Sequence, residues 1–143
     1  MSSLYRLHPG TRLAVLQGEG PLSLAEWDRA ARAVLQLDSW HGTRRILSDR
    51  RRMPGSFPPG MEERVLAFFR ENALELGEVQ WAVVVPADSA AAFATIRLAA
   101  ELSKGTRVRV QGFTDIVVAL HWLLGVYDDD QIAALMRWID DQA

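Results

Sequence analysis

The sequence predicts a single α/β domain: a small mixed β-sheet of about five strands carrying four to five helices. Three observations lead there. Short apolar segments of strand character alternate with segments whose apolar residues recur at helical spacing. The first two strand segments are separated only by Pro9-Gly10-Thr11, a turn in which proline presets φ and glycine admits the left-handed region, so they pair as an antiparallel hairpin. Each later strand is separated from the next by a helix-length stretch, which calls for crossover connections and parallel neighbours.

The elements follow in order. Leu4 to His8 and Arg12 to Gln17 are the hairpin strands. Ser23-Leu24-Ala25-Glu26 has capping-box spacing, and Leu24, Trp27, Ala31, Val34 and Leu35 form the stripe of a first helix that ends before Trp40-His41-Gly42. Arg44 to Asp49 is the third strand. Arg50 to Gly60 is a loop, because three prolines and two glycines fall within its last seven residues. Met61 to Leu74 is the second helix, with Gly77 as its cap. Val79 to Val85 is nearly all apolar, the pattern of a strand covered on both faces in the middle of a parallel sheet. Asp88 or Ser89 opens an alanine-rich third helix to about Ser103. Thr106 to Gln111 alternates Val108 and Val110 with Arg107, Arg109 and Gln111, as an edge strand, or one with an open face, does. Thr114 or Asp115 caps a fourth helix through Leu124, and Asp128-Asp129-Asp130 opens a last amphipathic helix. We place a domain over residues 1–126 and a C-terminal helix over 127–143, packed on the domain or at a dimer interface.

Composition bounds the function. The 143 residues are 49% hydrophobic and 24% charged, close to the globular norm, with no apolar run long enough to span a membrane. The amino end has no apolar leader, so a cytoplasmic location is expected. Cysteine is absent and the three histidines lie far apart, which leaves no thiolate nucleophile and no metal-ligand spacing; no metal and no cofactor are expected. Residues 1–72 carry eleven arginines against eight acids and the remainder five bases against ten acids, so the basic character is confined to one half. With no recognition module beside it, that asymmetry does not predict nucleic-acid binding.

Several stretches resemble the SpoIIAA-like superfamily of STAS-type domains and their Sec14-like relatives. They are Tyr5-Arg6-Leu7 with Leu13-Ala14-Val15-Leu16 and Gly18, Arg45-Ile46-Leu47-Ser48-Asp49, Trp81-Ala82-Val83-Val84-Val85, and Val108-Arg109-Val110-Gln111-Gly112-Phe113 leading into Ala119-Leu120-His121-Trp122-Leu123. The resemblance covers roughly Leu4 to Gly125. It implies a non-catalytic module that switches or binds. The family's phosphorylated serine sits in an Asp-Ser-Ser-Gly motif at the second helix; here Ser48-Asp49 is followed by arginines, and Ser56 stands among prolines and glycines.

The candidate site is the exit of the third strand: Ser48, Asp49, Arg50, Arg51, Arg52, Ser56 and Phe57. In open α/β sheets ligands bind beyond the carboxyl ends of strands. Three guanidiniums near a helix start attract phosphate or carboxylate. The alternative is a solvated loop whose arginines pair with Glu62 and Glu63. Ser48, Asp49 and His121 are the one set that could bring a nucleophile and a base together, but Gly-x-Ser-x-Gly is absent and no enzyme is expected. Trp27 reads as core, Trp81 as core or rim, Trp40 as partly exposed, and Trp138 as off the main stripe of its helix. The functional expectation is a regulatory or protein-interaction module that meets a partner protein through the Arg50–Gly60 loop and the start of the second helix. The alternative is a carrier or sensor of a small anionic or lipid-like ligand. A homodimer is compatible with both.

Overall fold

The computed structural model describes residues 3–18, 23–36, 43–52 and 58–141. The strands are β1 (Ser3–Leu7), β2 (Ala14–Gly18), β3 (Arg44–Asp49), β4 (Val79–Val84) and β5 (Val108–Phe113). The helices are α1 (Leu24–Leu35), α2 (Met61–Leu76), α3 (Ala90–Leu102), α4 (Ile116–Leu123) and α5 (Asp129–Asp140). The five strands lie in sequential order, β1 antiparallel to β2 and all later neighbours parallel. The expected mixed α/β sheet with an amino-terminal hairpin is therefore the fold observed, with β4 inside it and β5 at its edge.

Sequential order fixes where the helices go. Crossovers of one hand between successive parallel strands deposit every intervening helix on the same face. Helices α1, α2 and α3 accordingly share a core with one face of the sheet, through Val34, Phe69 and Ala99 against Ile46, Val79 and Trp81. After β5 the chain turns over the sheet, and α4 and α5 cover the other face, where Leu120, Leu123, Ile132 and Ile139 meet Val15 and Leu47. The C-terminal helix is thus docked on the domain. Among the described residues no helix is long and apolar enough to cross a membrane.

Element ends follow local chemistry. Strand β2 begins at Ala14 rather than Arg12 because Arg12 adopts φ 59° and closes the turn, donating its amide to the His8 carbonyl at 2.8 Å. Strand β5 begins two residues later than expected: Thr106 is tied into a turn by the Ser103 carbonyl, which its hydroxyl reaches at 2.6 Å. In exchange Gly112 and Phe113 continue the pairing with Val83 and Val84. Gly77, at φ 69°, ends α2 at Leu76. Ser23 caps α1 by accepting from the Glu26 amide, and its hydroxyl donates to the Glu26 carboxylate at 3.0 Å. Asp115 receives the amides of Val117 and Val118. Asp128 and Gln131 form a complete capping box, which is the role expected for that acidic run. Ser89 occupies the cap position of α3 without a side-chain capping bond.

Gly112 is required by packing. A Cβ there would stand 2.7 Å from Phe93 Cε1 and 3.3 Å from Ile96 Cδ1, so α3 approaches β5 over a bare backbone. Gly112→Ala is expected to destabilise the domain by about 1–3 kcal/mol, the usual cost of overpacking, measured by urea denaturation; an unchanged midpoint would show that α3 yields freely.

Candidate functional site

The register of the sheet creates a void under α1, α2 and α3. One row across the sheet is Tyr5, Leu16, Ser48, Val83 and Gly112; the next is Ile46, Trp81 and Val110. In the first row the central side chain is a serine, so the floor there is low, whereas the bare edge position, Gly112, is covered by Phe93. A partly enclosed cavity of about 250 Å³ occupies the space. Its floor is Leu16, Ser48, Trp81, Val83 and Val110. Helix α1 contributes Glu26, Trp27 and Ala30, α2 contributes Met61, Val65 and Phe69, and α3 contributes Thr95, Ile96 and Ala99. The mouth carries Tyr5 and the exposed Arg29. The cavity lies towards the carboxyl ends of β2 and β3, the side on which α/β sheets receive ligands.

An aromatic cluster forms one wall. The Trp27 and Trp81 rings stack at 6.4 Å between centroids, 21° apart, and Phe68 meets both edge-on. Phe69 tilts against Trp81 at 5.4 Å. The Trp81 indole N–H donates to Ser48 Oγ at 2.9 Å, which satisfies the one polar atom of a ring that is 3% exposed. Trp81 is therefore both core and cavity wall.

Charge enters the cavity from the end of β3. Arg50 is 7% exposed and lines the void, and burial pulls its guanidinium down to about 10, which leaves it cationic near neutrality. The two acids of the lining are engaged by donors, Asp49 with its carboxylate turned to the α5 side of the sheet. Asp49 accepts from Arg51 Nε and Nη2, each at 2.9 Å, from the Arg51 amide, and from Gln17 Nε2. Glu26 is held by Ser23. Burial alone pushes the Asp49 carboxyl up, but the hydrogen bonds and charge of Arg51, with the bond from Gln17, together hold it below the usual carboxylate value. The same Asp49 contact raises Arg51, against the pull of its own burial.

The expected cluster of three converging guanidiniums is corrected by this geometry. Arg50 faces the cavity, Arg51 turns back to Asp49 and reaches Asp140 of α5 at 3.1 Å, and Arg52 is exposed. Consecutive residues leaving a strand alternate in direction, so one loop cannot aim all three at one anion. The partners of Arg51 are Asp49 and Asp140 rather than Glu62 or Glu63. Of the candidate residues, Ser48 and Arg50 come together in the cavity and Asp49 borders it with its side chain turned towards α5; Ser56 and Phe57 lie outside the described residues, as does Trp40. Sequence reasoning passes over Met61, Thr95 and the aromatic wall. The one available signal is Ser48, a small polar residue at an inward position of β3, two residues after the inward Ile46.

Ser48, Asp49 and His121 do not form a catalytic set. Ser48 lies on the face covered by α1 to α3, whereas His121 belongs to α4 on the opposite face and sits 3.4 Å from Asp129. Among the described residues no group of three His, Asp or Glu side chains is placed to hold a metal ion.

A second polar cluster fastens α5. Arg6 donates to Gln17 Oε1 at 2.6 Å and to the carbonyls of Trp138 and Ile139, and its guanidinium lies 4.1 Å from the Trp138 ring centroid. His8 meets the same ring edge-on at 4.7 Å. Trp138, off the apolar stripe, is thus held by the hairpin. A cation at the last carbonyls of a helix also complements its dipole.

Compared with known protein families, with curated proteins and with solved structures, the chain matches none.

Proposed function

We propose that the protein is a non-catalytic module that binds a small amphipathic anion in the cavity between the sheet and helices α1 to α3, acting as a carrier or sensor of that ligand. One observation carries the reading: among the described residues a single buried guanidinium, Arg50, stands in the wall of a mainly apolar cavity. Ligand sites in small domains have this composition, an apolar lining with a few polar groups that orient the guest. Protein freshly purified from its producing cells is expected to show a one-to-one adduct in native mass spectrometry, lost on unfolding. A bare mass, together with unchanged tryptophan fluorescence on adding either octanoate or 1-octanol, would end the reading.

A regulatory role through a partner protein is supported by one further feature. Arg50 and Met61, which bracket the loop after β3, both line the cavity. An occupant that touches both bears directly on that loop. Octanoate is then expected to slow amide hydrogen exchange between residues 50 and 61, read by mass spectrometry; exchange unchanged there at saturation would separate the cavity from the loop.

A further inference from the structure

The size and charge of the cavity narrow the ligand class, given that the cavity is the binding site. We infer that it takes a single-chain or single-ring monocarboxylate of about ten heavy atoms, with its carboxylate on Arg50 and its apolar body against Trp81 and Phe69. A dry cavity of about 150 Å³ holds the six carbons of benzene, so, scaling in proportion, 250 Å³ holds roughly ten heavy atoms. That is too little for a lipid with two acyl chains.

The head group follows from charge. One buried guanidinium offers one planar fork, which a carboxylate matches with two parallel hydrogen bonds. A phosphate dianion brings a second negative charge to the same place, where Glu26, held by Ser23, already stands in the lining. One guanidinium beside one acid therefore suits a single negative charge better than two. A cationic head gains nothing at Arg50. The body of the ligand meets Leu16, Val83 and Ile96 as well as the two aromatic rings, with Ser48 and Thr95 as the polar side chains among them, so it is mainly apolar.

The test is a titration of ligand-stripped protein, followed by tryptophan fluorescence and calorimetry. The probes are octanoate, octyl phosphate, 1-octanol, octylamine and vesicles of a two-chain anionic phospholipid. Octanoate is expected to bind roughly tenfold or more tighter than 1-octanol, the worth of one charge-assisted pair. In Arg50→Leu that ratio falls to about one while octanol binding is kept, and Arg50→Lys retains part of it. Should Arg50→Leu fail to fold, Arg50→Lys and the wild-type ratios still decide. Equal binding of acid and alcohol, tightest binding of the phosphate or the amine, or one-to-one uptake of the vesicle lipid would overturn the ligand class and leave the cavity as a site. No binding of any probe overturns the site itself.

Discussion

Trp81→Ala is expected to destabilise the protein by about 3–5 kcal/mol, the range for removing a buried tryptophan. In a chain of this length that lowers the melting temperature by roughly 12–20 °C. The indole is 3% exposed and touches Trp27, Phe68 and Phe69, so alanine removes the piece that joins α1 and α2 to the centre of the sheet. The void left behind merges with the existing cavity, and its walls cannot collapse without moving two helices. Trp81→Phe keeps much of the contact and loses the bond to Ser48 and part of the buried ring, at about 1–2 kcal/mol. Ligand binding separates the two roles of the ring. Trp81→Phe is expected to bind octanoate with little change, and Trp81→Ala to bind it far more weakly in the fraction that remains folded. Differential scanning calorimetry with and without octanoate measures both; a Trp81→Ala protein that melts within a few degrees of wild type would show that the aromatic wall is not the centre of this core.

The fold is legible because its signals are local. The seven residues Val79 to Val85 announce a strand covered on both faces, and β4 does lie between β3 and β5. Pro9-Gly10 places a turn, and Asp128 with Gln131 places a helix start. Misplaced ends trace to interactions that outrank strand propensity, such as the Thr106 hydroxyl on Ser103.

The site is legible only at one point. Ser48, Asp49 and Arg50 stand out in the sequence as residues at a strand exit; Ser48 and Arg50 come together in the cavity and Asp49 borders it. The cavity itself is a consequence of register between strands. Leu16, Ser48 and Val83 stand in one row only once β2, β3 and β4 are aligned, and no single segment encodes that alignment. A residue that walls a void also has the same signature as one that fills a core, which is why Trp27, Val65 and Phe69 read as ordinary stripe positions. Arg51 shows the complementary difficulty. Its second partner, Asp140, is 89 residues away, whereas Glu62 and Glu63 are near in sequence and lie outside its contacts. The three arginines share a composition but, leaving a strand, they cannot share a direction.

Asp49 couples this corner of the site to the last helix, and its loss is expected to be the most costly of any charged residue near the cavity. Its side chain is 7% exposed and receives a bidentate pair from Arg51, while Arg51 is 31% exposed. Breaking a fully buried pair costs about 3–5 kcal/mol, and partial exposure of the cation reduces this to roughly 2 kcal/mol for Asp49→Asn. Asp140→Asn, at a partner 47% exposed, is expected to cost less than about 0.5 kcal/mol. The dependence on pH has a definite sign. Because the folded-state pKa of Asp49 lies below its unfolded value, the carboxylate contributes its full stability above about pH 4 and loses it as the pH falls through the depressed folded value. Urea unfolding of wild type and Asp49→Asn should therefore differ by a constant amount from about pH 5 to 7 and converge in stronger acid. Gln17 and Arg6 bind both to this cluster and to the Trp138 and Ile139 carbonyls, so Asp49→Asn should also speed amide exchange in the last turn of α5. A difference that persists unchanged into acid would mean that the packing of the side chain, and not its charge, stabilises the corner.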